Sequence, residues 1–222
     1  LSNRDNIKNI GALTPLLESL AINSFLTEYL FEYNQREKVE LSKICSSIKR
    51  NSNCKQIHYF DFLCLLCYQN VTELSSKNIS ELLNKFIKLK TILYEEPLYE
   101  QSLKKNITKF GLVDKASEMT KRQYEENPYP RWYKYYGQKS FRSFNEMLIQ
   151  QDLNLKKFVQ FEGNYKSILI AGCGTGLNVL KVAKAFPDCR IIAVDLSLTS
   201  LAYAKRKVLE ANLQNISFYN GN

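Results

Sequence analysis

The spacing of apolar positions divides the chain into two regimes. Through roughly the first hundred residues they recur every three or four positions, the period of an amphipathic helix. Leu16, Leu17, Leu20, Ala21, Ser24 and Phe25 trace one stripe toward Tyr29. Ahead of it, Thr14-Pro15 reads as an N-cap with proline at the first helical position. Leu41, Ile44, Cys45 and Ile48 trace a second stripe behind a capping-box pattern at Asn34-Gln-Arg-Glu37. Residues 57–68 are apolar nearly all round, which predicts a helix at the centre of a bundle. Asn78-Ile-Ser-Glu81 opens a further helix through Leu82, Leu83, Phe86, Ile87 and Leu93, with Glu95-Glu-Pro97 as its stop.

Residues 98–122 read as a short helix and a loop around Gly111. Asp114 is placed to cap a helix through Glu118, Lys121 and Tyr124, ended by Asn127-Pro128. Tyr129-Pro130-Arg131-Trp132 must then be extended, because residues before prolines avoid the α region. Ser143-Phe-Asn-Glu146 starts one more helix, to about Gln151.

From residue 167 the pattern changes. Ile168, Leu169 and Ile170 form a short apolar run of the kind expected for a strand buried on both faces. It stops at Gly172, Gly174 and Gly176. Leu177, Leu180, Val182, Ala183 and Phe186 then suit a helix packed on a sheet. A second strand-like run, residues 190–195, ends on Asp195. Strand, glycine turn, helix, strand and acid is the order that holds an adenosine-containing cofactor at the C-terminal edge of a parallel sheet. A dinucleotide loop reads G-x-G-x-x-G around a pyrophosphate. Here the pattern is G-x-G-x-G, and Leu177 stands where the third dinucleotide glycine would be. S-adenosylmethionine has no phosphate and needs a carboxylate for its ribose hydroxyls, so the spacing points to a methyl-donor site.

The runs Ile168-Leu-Ile-Ala-Gly-Cys-Gly-Thr-Gly176, Ala193-Val-Asp-Leu-Ser197 and Leu201-Ala-Tyr-Ala204 resemble the first two motifs of class I S-adenosylmethionine-dependent methyltransferases. Residues 123–132, Gln-Tyr-Glu-Glu-Asn-Pro-Tyr-Pro-Arg-Trp, resemble a segment that precedes the methyltransferase domain in bacterial tetratricopeptide-repeat-fused members. The helical stretch 16–37 is similar to the region between repeats and catalytic domain there. No period of about 34 residues is present, so the repeats themselves are not in this chain.

The expected architecture is therefore α/β. An α-helical domain over 1–122 leads through an aromatic and basic linker, 123–160, into the first half (β-α-β-α-β) of a Rossmann-like domain, 161–222. Ala171, Gly172, Cys173, Gly174 and Gly176 would line the methionine side of the cofactor. Asp195 would accept from both ribose hydroxyls, and Leu196 would meet the adenine face. Gly176 would let the helix start close to the strand. The resemblance further implies an acceptor for the adenine amine at the end of the third strand, which aligns with Asn222. Cys173 reads as a small filler, since no base neighbours it in sequence. The glycines would equally serve a plain tight turn, but three in five positions followed by Asp195 favour the cofactor site.

The linker invites three readings. The stretch from Arg131 to Arg142 holds four basic residues, no acidic ones, and the aromatics Trp132, Tyr133, Tyr135, Tyr136 and Phe141. Basic plus aromatic is how single-stranded nucleic acid is held. A strap whose aromatics pack on the helical domain is the plainer alternative. The family resemblance adds a third, in which the segment folds over the cofactor and Tyr129, Arg131 and Trp132 line the substrate entrance.

Charge and cysteines change little. The net charge of +9 is spread along the chain, with +3 in residues 161–222, so nucleic acid is not the expected partner. Cys64-Leu-Leu-Cys67 has metal-pair spacing but lies in the apolar run with no second pair, and His58 is the only histidine. No metal site is expected. Six cysteines suit reduced thiols in a cytoplasm, and neither a secretory signal nor a membrane span is indicated.

The chain begins with Leu and stops where a third strand should end, so it reads as a fragment of a longer enzyme, inactive alone. The methyl acceptor is open, as are the catalytic residues. Other readings are an adapter whose helical domain binds a protein partner, and a nucleotide-dependent oxidoreductase.

Overall fold

The computed structural model describes residues 10–50, 58–73, 79–111, 115–137, 141, 144–151 and 166–221. The chain forms two compact units, Leu1–Tyr99 and Glu100–Asn222.

In the first unit the described elements are helical. They are α1 (Ile10–Leu26), α2 (Gln35–Arg50), α3 (Tyr59–Leu66), a 3-10 turn (Val71–Glu73), α4 (Ile79–Leu83), α5 (Ile87–Lys90) and a π-helical turn (Thr91–Glu95). Every residue of α3 from Phe60 to Leu66 is buried, as its all-round apolar pattern predicts. Ala21, Ile22 and Phe25 of α1 and Leu41, Ile44 and Ile48 of α2 share its core, while Leu16 and Leu20 of the expected stripe face solvent. The capping box before α2 forms as a reciprocal pair: Glu37 N–H donates to Asn34 Oδ1 at 3.0 Å, and Asn34 N–H to Glu37 Oε2 at 2.7 Å.

Both proline-based boundaries move. Pro15 lies inside α1 rather than at its first position. Its missing N–H forfeits one bond to the carbonyl of Gly11, an exposed residue whose oxygen can meet water. Pro97 does not stop a helix either. It is the second residue of α6 (Glu96–Lys104), which runs on directly from the π-helical turn Thr91–Glu95, so the proline sits where π winding gives way to α winding. Asn78, Asp114 and Ser143, the other expected caps, lie outside the described residues.

The second unit holds a four-stranded sheet in the order β1 (Thr108–Lys109), β4 (Ile216–Asn220), β3 (Arg190–Asp195), β2 (Ser167–Ala171), with every neighbouring pair parallel. Parallel neighbours need crossovers, and α9 (Leu177–Ala185) and α10 (Leu198–Glu210) supply them. Further helices are α7 (Lys115–Glu126) and α8 (Phe144–Gln151). The core gathers Val179, Leu180 and Ala183 of α9, Ile191 and Ala193 of β3, and Leu201, Ala202, Ala204 and Val208 of α10.

Strand β2 is not buried on both faces. It is the edge of the described sheet; Ile168 and Ile170 pack on the core while Leu169 is 65% exposed. The compact-unit boundary also falls earlier than residue 122, because Leu103 and Ile107 join the core of the second unit and Thr108–Lys109 pairs with β4. That two-residue strand is too short to carry a periodic signal.

Candidate functional site

At the C-terminal ends of β2 and β3, residues 172–176 turn the chain from strand into α9. Gly172, Gly174 and Gly176 have φ of 65°, 53° and 80°, the left-handed region that side chains with a Cβ resist. The three have different surroundings. A Cβ on Gly172 or Gly174 would meet no atom within 4 Å, so these positions leave open space above the loop. A Cβ on Gly176 would lie 2.4 Å from Cβ of Ala204 in α10. Gly176 thus lets α9 start against a neighbouring helix rather than against the strand.

Asp195 ties the loop to the end of β3. Its Oδ2 accepts from Gly174 N–H at 2.7 Å and its Oδ1 from Ser197 N–H at 2.9 Å. Cys173 N–H donates to the Val194 carbonyl at 3.0 Å. Burial, with Asp195 nearby, pushes the Cys173 thiol up to about 12, which holds it as a neutral filler. The main chain at Asp195 and Leu196 is held from β4. Asn220 Nδ2 donates to the Asp195 carbonyl at 3.0 Å and to that of Leu196 at 2.7 Å. Gly221 N–H also donates to the Asp195 carbonyl, at 3.1 Å.

These elements floor a cavity of about 550 Å³, a size typical of small-molecule sites. Ala171, Gly172, Cys173, Gly174, Asp195 and Leu196 line it, as does Gly221. Gly176 lies behind the loop, and Asn222 is outside the described residues. Thr120, Tyr124, Tyr129 and Pro130 form the facing wall.

The segment 123–137 therefore does pack, on α9, α10 and the glycine loop of its own unit. Trp132 Nε1–H donates to the Thr175 carbonyl at 3.0 Å, and Thr175 Oγ1–H to the Pro130 carbonyl at 2.6 Å. Tyr203 Oη–H donates to the Trp132 carbonyl at 2.6 Å, with the two rings edge to face. Of the three residues expected at a substrate entrance, only Tyr129 lines the cavity. Arg131 lies beside buried Glu100 and over the Tyr203 ring, and Trp132 is turned into the loop's underside.

Glu125 was not singled out by its pattern, yet it anchors the wall. Its Oε1 accepts from Leu198 N–H at 2.6 Å, and its Oε2 from Thr199 N–H at 3.2 Å and Thr199 Oγ1–H at 2.6 Å. A carboxylate at the N-terminus of the 13-residue α10 satisfies otherwise orphaned donors and opposes the helix dipole. One residue earlier, the Tyr124 carbonyl accepts from Ser197 Oγ–H at 2.8 Å. No single-sequence period reveals such pairings, which join residues more than seventy apart.

Among the described residues no group of three or more His, Cys, Asp or Glu side chains could hold a metal ion. Cys64 is buried in the α3 core, and Cys67 turns its thiol to the Leu17 and Leu63 carbonyls at 3.5 and 3.4 Å. No described helix is long and apolar enough to cross a membrane.

Residues 168–222 match a family described as a methyltransferase domain. A tRNA (guanine-N(7)-)-methyltransferase of Rubrobacter xylanophilus is 48% identical over 50 residues, 22% of this chain and 22% of its own. An uncharacterized protein of Rickettsia prowazekii is 37% identical over 49 residues, 22% of this chain and 20% of its own. The chain thus spans about a fifth of the length of these curated relatives. A solved structure of coclaurine N-methyltransferase, bound to N-methylheliamine and SAH, covers 96% of this chain and 51% of its own at 17% identity and a TM-score of 0.31. Residues 168–222 therefore carry a methyltransferase-domain sequence, whose cofactor is S-adenosylmethionine, over the same stretch that builds the glycine loop and Asp195.

Proposed function

We propose that this chain belongs to an S-adenosylmethionine-dependent methyltransferase of class I, and that its second unit holds the methyl donor. One observation carries the reading: an open glycine loop is pinned to Asp195 at the C-terminal edge of a parallel sheet, beneath a cavity of about 550 Å³. The residues fit the donor. Gly172 and Gly174 leave their upper side open to a close-lying ligand. A carboxylate offers about four acceptor positions. Asp195 uses two on backbone donors, which leaves two for a ribose diol. Leu196 supplies an apolar surface for adenine, and Asn220 fixes the peptide on which it sits.

When bound, S-adenosylmethionine supplies a methyl group already activated by its sulfonium. What this chain's own residues contribute is orientation. The glycine loop and the first N–H groups of α9 receive the amino-acid end, where a carboxylate is favoured by the helix dipole. Tyr124, Tyr129 and Pro130 line the same cavity. Holding a reactant in one attack geometry is the main contribution a protein makes to such a displacement. The two curated relatives match 22% of this chain each, so their names carry no acceptor to it.

The test is calorimetric titration of the chain with S-adenosylhomocysteine and, separately, NADH. Saturable binding of the first and none of the second supports the donor reading. Binding of NADH alone would replace it with the oxidoreductase reading. Tight S-adenosylhomocysteine binding with no methyl transfer by the full-length reading frame would favour the cofactor-sensing adapter.

A further inference from the structure

Ser200 occupies the first turn of α10 and lines the cavity, yet nothing in the sequence marks it as a site residue. It is 1% exposed. Its backbone N–H is satisfied by Ser197 Oγ at 3.0 Å, but its own hydroxyl is buried without a hydrogen-bond partner. That is unusual, since the large majority of buried side-chain polar atoms have a hydrogen-bond partner.

A helical serine ordinarily relieves this cost by donating to the carbonyl four residues back. Ser19 does so to Pro15 and Ser42 to Lys38, each at 2.9 Å. At Ser200 the carbonyl four back, that of Leu196, already accepts from Asn220 Nδ2 at 2.7 Å. The carbonyl three back, that of Ser197, accepts from Leu201 N–H at 3.0 Å. Ser200 lines the cavity together with Asp195, Leu196, Thr120 and Tyr124.

Resting on the donor reading above, we propose that Ser200 is a cofactor-binding residue whose hydroxyl donates a hydrogen bond to a ribose oxygen of the bound nucleoside. The chemistry complements Asp195. A carboxylate only accepts, so each ribose hydroxyl that donates to it keeps a lone pair, and a serine hydroxyl is a fitting donor to that lone pair. The two stand five positions apart, from the last residue of β3 to the first turn of α10, and both line the cavity.

The experiment compares wild type, Ser200→Ala and Ser200→Cys by calorimetry with S-adenosylhomocysteine and with its 2′-deoxy and 3′-deoxy ribose analogues. Thermal unfolding is followed with and without ligand. A structural serine and a ligand-binding one give opposite signatures. If Ser200 binds ligand, Ser200→Ala leaves the ligand-free melting temperature unchanged or raised, because an unsatisfied group has been removed. Affinity for S-adenosylhomocysteine then falls about five- to tenfold, the worth of one ordinary hydrogen bond. The loss shrinks for whichever deoxy analogue lacks the contacted oxygen. Equal affinity of wild type and Ser200→Ala overturns the proposal, and so does a lowered ligand-free melting temperature with an unchanged ligand-induced shift. Ser200→Cys replaces the hydroxyl by a weak S–H donor and should lose affinity as the alanine variant does. Should wild type itself bind no S-adenosylhomocysteine, the donor reading fails, and this proposal with it; failure confined to the variants touches Ser200 alone.

Discussion

Asp195 and Gly174 are twenty-one residues apart in sequence and joined by a 2.7 Å hydrogen bond, carboxylate to backbone N–H. The bond makes one side chain both the anchor of the glycine loop and the acceptor offered to a ribose. Asp195→Asn should separate these roles poorly. The amide retains one acceptor oxygen, and its NH₂ must face either the Gly174 or the Ser197 N–H. Hydrogen bonds to a charged group are worth about 1.5–3 kcal/mol each, so binding of S-adenosylhomocysteine should weaken by more than about tenfold. Calorimetry showing a change of twofold or less would remove Asp195 from the donor site.

Cys173 gives a pH signature. Its thiol is pushed from 9.0 up to about 12 by burial first and by Asp195 second. The folded-state value is the raised one, so the stability associated with the neutral thiol is complete below pH 9. It is lost as pH climbs from 9 toward 12, by at most about 1.4 kcal/mol per pH unit. Urea midpoints measured at pH 7.5 and pH 10.5 should therefore diverge more for wild type than for Cys173→Ala. The same burial should protect Cys173 from iodoacetamide at pH 8, read by peptide mass. Rapid alkylation of Cys173 in the folded chain would contradict it.

Gly176 tests the packing of α9 on α10. Gly176→Ala meets two separate penalties. Alanine at φ of 80° costs about 1–2 kcal/mol, and a Cβ 2.4 Å from Ala204 Cβ forces displacement worth about 1–3 kcal/mol more. Adding Ala204→Gly removes the 2.4 Å contact and leaves the Ala204 Cα at 3.0 Å together with the backbone penalty. In urea unfolding the double variant should be more stable than Gly176→Ala alone, despite the usual loss of about 1 kcal/mol for glycine within a helix. Strict additivity of the two substitutions would show that the close approach has no energetic weight.

What was legible in the sequence was what local spacing encodes. The glycine loop, Asp195 and the buried α3 could be read because each is a pattern within a few residues. The Asn34–Glu37 cap was legible for the same reason. The proline boundaries at Pro15 and Pro97 are not legible from spacing: the carbonyl freed by Pro15 belongs to exposed Gly11, and Pro97 follows a π-helical turn, neither of which a local pattern reveals. The wall of the cavity was illegible in a deeper sense. Glu125 reaches the start of α10, and Trp132 reaches Thr175, through contacts set by tertiary docking. Asn220 carries no mark of its own in the sequence, and only its hydrogen bonds to the Asp195 and Leu196 carbonyls single it out, while Asn222 lies outside the described residues.

Glu100 shows what holds that wall from behind. It is 5% exposed, and its Oε1 accepts from Arg206 Nε–H at 2.8 Å while its Oε2 lies 3.9 Å from Arg131 Nη1. Both guanidiniums lie over the Tyr203 ring, at 4.9 Å for Arg206 and 5.6 Å for Arg131. Glu100→Gln leaves two buried cations against a neutral amide, with Glu210 the remaining carboxylate on Arg206. Breaking a buried ion pair from one side costs about 3–5 kcal/mol, so urea unfolding of the second unit should shift by that order. Arg131→Ala should also lower stability. Because Arg131 does not line the cavity, the affinity of the folded fraction for S-adenosylhomocysteine should stay within about threefold. A large loss of affinity at unchanged stability would instead return Arg131 to the substrate entrance, where its place in the sequence first put it.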